Sequence, residues 1–386
     1  MTRQPLAFFD VSRWVAALLV VIHHTRHLIL TDYPNVEHPT RPLQALYFVT
    51  GFGHEAVIVF FVISGFLVGG MTLDKWRRHG ANSWDYISAR VARVYTVLLP
   101  ALAVSMLLDL IGATWLDASQ LYSHAEKYHT FSLLGVINER LSVTTLLGNV
   151  FMLQNIFVPV LGSNGPLWSL AYEWWYYCLF YFAAILIVEP TRTHWVACTV
   201  SLAGLVLLLP TALFLLGAFW LLGMLLHYMV RRGRRVLHPA LGLLLFLIAM
   251  YWSRLHHLDI PGQPDSLLAS FRRDLIVALG YSALACSMVN TRFSLPRIHQ
   301  SLADFSYSTY LVHFPMLIFT AAYLNQAFGI AIVRQPGFYG LAYLTGITVF
   351  LCVYAYGFSL LTERRTGATR DWFKSKLPRR VGWESP

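Results

Sequence analysis

The chain has 386 residues and a formal net charge of +10; 56% of its residues are hydrophobic, 15% aromatic and only 12% charged. Soluble domains carry about 25% charged residues, so a chain this long with half that share cannot cover a water-facing surface. A soluble enzyme, a disordered chain and a disulfide scaffold are excluded, which leaves an all-α, polytopic membrane helical bundle. Its basic excess reads as the positive charge that collects in cytoplasmic loops. The basic clusters lack the interleaved stacking aromatics of nucleic-acid binders. Cys178, Cys198, Cys286 and Cys352 sit in apolar runs without metal spacing and read as small buried hydrophobes.

About 20 apolar residues are needed to span a bilayer. Such runs occur at 10–30, 52–73, 91–111, 167–188, 194–210, 212–230, 238–254, 271–290, 305–328 and 338–361. The first run is followed by His23, His24, Thr25 and Arg26 with no small-residue cleavage site, so it reads as an uncleaved span. Arginines and lysines in 75–93, the four arginines of 231–235, Arg292, Arg297 and the basic tail mark one side as cytoplasmic. Residues 31–50, 112–140 and 255–270 then fall outside. Counting 141–160 as an eleventh span would reverse every later loop. That stretch is expected to be re-entrant or interfacial, with Asn149, Gln154, Asn155 and Pro159 suited to a cavity lining. The expected result is about ten transmembrane helices, both termini inside, in one membrane domain over 1–362 and a solvated basic cytoplasmic tail over 363–386.

Ionisable residues inside spans mark function by default. The first span carries Asp10, Arg13 and, eleven residues deeper, His24. Eleven residues are about three turns, or roughly 16 Å, so Arg13 and His24 share one helix face. A near-neutral imidazole at that depth suits a general base; the plainer reading is a histidine bonded to a neighbouring helix. His23 and His27 have metal-compatible i, i+4 spacing, but spacing indicates no third ligand, and no metal is expected. His27 and Asp32 also match an HxxxxD pattern, taken as chance. Ser64-Gly65 in the second span reads as a patch for close helix packing. Arg90 and Arg93, one turn apart, are either snorkelling anchors or a fork for the phosphates of an anionic cytosolic ligand.

The fourth span opens with Trp168-Ser169-Leu170-Ala171-Tyr172-Glu173. Its aromatics suit an interfacial belt or the faces of sugar rings, and the embedded Glu173 makes the belt alone insufficient. The ninth contains Ser306-Tyr307 and His313, two turns in from the cytoplasm, with Pro315 as a kink beside it.

These elements in this order, Asp10/Arg13…His24, Phe60–Phe66, Arg90/Arg93, Trp168-Ser-Leu…Glu173 and Ser306-Tyr307…His313, resemble the acyltransferase-3 family of membrane O-acyltransferases over nearly the whole chain. One departure is Trp14, where the family usually has glycine, which is expected to crowd the site. The resemblance implies transfer of an acyl group, often acetyl, from cytosolic acyl-CoA to a hydroxyl of a carbohydrate or lipid-linked glycan outside the bacterial cytoplasmic membrane. His24 would be the base, with Arg13 and Glu173 as its catalytic companions. Arg90, Arg93 and Ser64 would serve the donor, and Asp10, Trp168, Tyr307 and His313 the substrates. Glu173 and Trp168 would hold the acceptor on the outer side. Rival readings are a transferase of succinyl or another acyl group, one acting on a small metabolite, an acyl-CoA sensor, and a proton-coupled transporter relaying through His24, Glu173 and His313.

Overall fold

The computed structural model describes residues 4–128, 136–231, 237–256, 266–288 and 296–376. Among these the regular structure is helical, with two isolated bridges and no strand. In chain order the helices are α1 (Gln4–Ile29), α2 (Arg41–Val49), α3 (Gly53–Ser64), a π-helical segment (Gly65–Gly70), α4 (Met71–His79), α5 (Ser83–Trp115), α6 (Val143–Val150), α7 (Trp168–Val188), α8 (Arg192–Leu208), α9 (Thr211–Arg231), α10 (Pro239–Leu255), α11 (Leu267–Met288), α12 (Ile298–Ala303), α13 (Ser306–Phe328), α14 (Phe338–Leu361) and α15 (Thr366–Lys376).

Helices stand at all ten positions expected of spans, but seven are both long and apolar enough to cross a membrane. Helices α8 and α10 are apolar but 17 residues long. Helix α11 has 22 residues but carries Arg272, Arg273 and Asp274 in its first half. Among the described residues, length and composition thus support seven candidate spans, and the count of ten is not confirmed. The outer surface is apolar, with Leu207 and Phe338 exposed at 85% and 82%, the reverse of a water-soluble bundle and the arrangement lipid requires.

Residues 141–160 do not form a span. Helix α6 has eight residues and is followed by turns with Met152 and Asn155 at positive φ. Asn149 and Gln154 do not line a cavity as expected; both are fully buried and close the segment on itself. Asn149 Nδ2 donates to Thr145 O and Pro159 O at 2.8 and 2.9 Å, and its Oδ1 accepts from Leu161 N at 3.1 Å. Gln154 Nε2 donates to Leu167 O at 3.1 Å. Buried loop backbone has no water to bond, so these side-chain amides supply its partners.

One end of the bundle is basic. There Asp74 pairs with Arg78 and Arg231, and Asp85 with Lys75, Arg370 and Lys374. Arg232, Arg234, Arg235, Arg292 and residues 377–386 lie outside the described residues, as do 129–135 and 257–265 of the two longer segments expected outside. Residues 363–376 of the expected solvated tail are instead folded against the bundle. Glu363 is buried, and α15 packs along the start of α5. Opposite charges at Asp85 and buried partners for Glu363 outweigh the solvation that a basic tail suggests.

The second span is interrupted where it meets α9. A Cβ on Gly65 would lie 1.8 Å from the Trp220 carbonyl oxygen, and one on Gly223 would lie 2.0 Å from that of Val62. The two backbones thus touch directly, as in small-residue contacts between membrane helices. The π-helical turn begins at this contact and reorients the side chains that follow, a common device beside functional sites. Gly65→Ala should therefore destabilise the protein by about 1–3 kcal/mol through overpacking. Gly357→Ala in α14, where a Cβ meets nothing within 4 Å, should be neutral or mildly stabilising. Thermal unfolding of both variants in detergent measures the difference; equal melting temperatures would remove the close-packing account.

Candidate active site

Two neighbouring constellations emerge. The first is a cavity of about 1030 Å³ opening toward the basic end. Five arginines (Arg13, Arg90, Arg93, Arg364 and Arg370) and three acids (Glu173, Asp304 and Glu363) line it, so its charge balance favours an anion.

Helix α7 contributes Ser169, Glu173 and Tyr177, spaced by four and therefore on one face. Tyr177 Oη donates to Glu173 Oε1 at 2.6 Å and lies 3.4 Å from Ser64 Oγ, which accepts from Trp220 Nε1 at 3.2 Å. Glu173 thus lines the same cavity as Arg90 and Arg93, and Trp168, expected beside it, does not line that cavity. The reason is angular: five residues at 100° each place Glu173 about 140° from Trp168. Trp168 packs edge-on against Phe61 and Tyr172 outside the cavity lining.

Helix α5 contributes the arginine fork. Arg93 forms an ion pair with Glu363 at 2.9 Å and lies over the Tyr307 ring at 5.0 Å. Arg90 lies 5.6 Å from the Tyr177 ring centroid, and its Nε is buried without a hydrogen-bond partner. Arg90 is thus the less committed cation. Arg13 lines the cavity while donating to Ala303 O at 3.3 Å, with Asp10 at 3.6 Å. Asp10 lies outside the lining. Trp14 does not crowd the cavity either: its ring stacks on His299 and its Nε1 donates to His299 Nδ1 at 3.1 Å. One residue along the helix from Arg13 turns it 100° away from the cavity.

The second constellation is a histidine pair. His24 Nδ1 and His313 Nε2 are 2.9 Å apart, with rings nearly parallel at 9°. His313 therefore lies level with His24 rather than nearer the inner end. Ala303, whose carbonyl Arg13 reaches, ends α12, and α13 starts just after it at Ser306, so His313 stands two turns into α13 beside His24. The pair sits one turn beyond Tyr310, which lines the cavity and meets Phe60 edge-on.

The hydrogen bonds fix a tautomer. His313 Nδ1 is 2.9 Å from both Thr309 O and Tyr310 O, which can only accept, so Nδ1 carries the proton. In the neutral ring Nε2 of His313 then accepts, and His24 Nδ1–H donates to it. That leaves His24 Nε2 with a free lone pair. His313 is fully buried, whereas His24 keeps partial exposure. A base nitrogen oriented by a second group is the arrangement general-base catalysis needs.

Pro315 sets the local geometry. Lacking an N–H, it leaves the Leu311 carbonyl unbonded within α13, and Asn164 Nδ2 takes that oxygen at 2.9 Å. The neighbouring Ser163 donates N–H and Oγ–H to Asp109 at 2.7 and 2.8 Å. The loop before α7 is thereby fastened to α5 and to α13 beside the pair.

The sequence model of the acyltransferase-3 family, described as an acyltransferase domain, matches residues 6–359. The chain belongs to this family. Comparisons with curated proteins and with solved structures each gave no match. Family membership together with the apolar helices makes the protein an integral membrane acyltransferase by family. His23 and His27, ring centroids 4.4 Å apart, belong to no group of three or more candidate metal ligands among the described residues.

Reading the sequence missed Tyr177, Tyr310 and Glu363. Tyr177 follows Glu173 by one helical turn, and Tyr310 precedes His313 by three residues, so spacing could have found both. Nothing local marks Glu363, which reaches Arg93 only through the fold.

The Arg93–Glu363 pair should be thermodynamically coupled. Arg93→Ala, Glu363→Ala and the double variant should give a coupling of about 0.5–3 kcal/mol in thermal unfolding, because either single change strands a charge. Strict additivity would show that the pair adds nothing to the fold.

Proposed function

We propose that the protein transfers an acyl group, most simply acetyl, from acyl-CoA to a hydroxyl of an extracytoplasmic carbohydrate or lipid-linked glycan. On this reading it lies in the bacterial cytoplasmic membrane with its basic end and both termini in the cytoplasm, as positive-inside asymmetry favours. The observation that carries the proposal is the alignment of an arginine-lined cavity with the oriented histidine pair one turn past its end.

In this scheme the donor enters from the basic end. Arg90 and Arg93 bind its pyrophosphate, for which paired guanidinium groups are well shaped. The thioester end passes Ser64, Glu173 and Tyr310 toward His24. The acceptor hydroxyl approaches from the opposite side, and His24 Nε2 takes its proton as the oxygen attacks the thioester carbonyl. The carbonyl–sulfur bond breaks, and the thiolate leaves with the proton held by His24. Atoms and charge balance without a further reagent. His313 positions His24 through Nδ1 and stabilises the imidazolium without contributing a charge. Glu173 and Tyr177 form the wall along which the donor arm lies, and Asp10 and Tyr307 support Arg13 and Arg93.

Loss of a general base costs about 10²–10⁴-fold in rate. His24→Ala should lower kcat by that factor at matched expression, and His313→Ala should lower kcat with little change in KM for acyl-CoA. Arg90→Ala should do the opposite, raising that KM by roughly tenfold or more for a lost charged hydrogen bond. Thiol release and acceptor modification in purified protein read all three. More than about a tenth of wild-type rate in His24→Ala would place the base elsewhere.

A further inference from the structure

The family match stops at residue 359, but the cavity does not. Arg364, Thr366, Gly367 and Arg370 all line it. Two anchors bring this segment there. Glu363 Oε2 accepts from the Ser308 N–H and Oγ–H, each at 2.9 Å, while its Oε1 meets Arg93. Helix α15 then runs along the start of α5, where Arg370 Nη2 and Lys374 Nζ each lie 2.6 Å from Asp85 Oδ1 and Lys75 Nζ lies 3.1 Å from Oδ2.

This wall carries surplus positive charge. One carboxylate, Asp85, faces three cations, and Arg370 Nε is buried without a hydrogen-bond partner. Arg364 is exposed, lies over the Tyr356 ring at 5.2 Å and has no carboxylate partner among the described residues. The two arginines therefore stand at the solvent side of the cavity, while Arg13 and the route to His24 stand at its inner side.

We propose that α15 forms the outer wall of the donor site, with Arg364 and Arg370 binding the terminal 3′-phosphate of the donor's nucleotide opposite Arg90 and Arg93. This rests on the acyl-CoA reading of the cavity. If the thioester must point inward to His24, the nucleotide at the other end of the donor must lie where the cavity opens, between α5 and α15. A phosphomonoester carries up to two charges there, and a pair of guanidinium groups matches it.

The test is direct binding of CoA and dephospho-CoA to the full-length protein in detergent, by calorimetry, which needs neither acyl group nor acceptor. Wild type should prefer CoA. The double variant Arg364→Ala/Arg370→Ala should lose roughly tenfold or more in affinity for CoA and change little toward dephospho-CoA. Lys374→Ala removes the same Asp85 contact without touching the cavity, and Arg365→Ala removes a neighbouring charge that does not line it. Both should keep the preference. Arg370→Lys, which retains charge, should keep part of it even if the alanine variant unseats α15. The proposal is overturned if the double variant still distinguishes the two ligands, or if Lys374→Ala erases the distinction equally, which would make the helix an anchor only. Wild type that binds neither ligand would overturn the acyl-CoA reading itself. Arg90→Ala weakening both ligands while the double variant weakens neither would preserve that reading and reject the role of α15.

Discussion

The parallel pairing of α1 with α13 is the constraint on which the rest of the site depends. It is fixed at two levels, by Arg13 donating to Ala303 O at the end of α12, which leads straight into α13, and by His24 meeting His313 deeper in. Eleven residues of α1, about 16 Å of rise, separate the two contacts; on the other side a short turn and the first two turns of α13 lie between them. Helices α1 and α13 run side by side. A shift of one residue would rotate either imidazole by 100° and break the pair. Everything nearby supports this register. Asn164 occupies the carbonyl that Pro315 frees, and Glu363 holds the N–H and hydroxyl of Ser308 at the base of α13.

The same logic explains why so many polar groups lie inside a bundle whose exterior is apolar. Asp109, Asn149, Asn164 and His313 are all fully buried, and each is hydrogen-bonded. Without water, an unpaired group of this kind costs on the order of 1–3 kcal/mol. Irregular backbone at this depth survives only where protein groups satisfy it. The loop before α7 is therefore a built part of the site, and its three positive-φ residues, Met152, Asn155 and Gly162, fold it tightly enough to reach both α5 and α13.

Most of the fold was legible because apolar runs are long and locally coded. Helices occupy all the expected runs, with ends displaced by up to eight residues where Ser83–Trp115 begins ahead of 91–111. Charge asymmetry and embedded polar residues argue against a span over 141–160, and a short helix with turns occupies that stretch. What escaped was angular and long-range. Counting along one helix gives only the rise from Arg13 to His24, whereas the depth of His313 depends on where α13 starts relative to α1. Glu173 was grouped with Trp168 because they are close in sequence, although the helix sends them to different sides. Glu363 and Arg370 looked like a solvated tail because local composition cannot show that Arg93 and Asp85 await them.

The partner chosen for His24 also has a physical rationale. Many catalytic histidines are oriented by a carboxylate, which stabilises the imidazolium by its charge. Here a carboxylate at the position of His313 would sit fully buried within the membrane bundle, where an unbalanced charge costs several kcal/mol at rest. The imidazole of His313, held by two carbonyls of its own helix, orients His24 without that cost. The acid of the site, Glu173, stands instead on the cavity wall, where Tyr177 bonds it and Arg90 lies across the same tyrosine ring. Charge is thus kept on the cavity wall, and in the proposed reaction proton transfer falls to the deeper histidine pair, which brings no carboxylate to that depth.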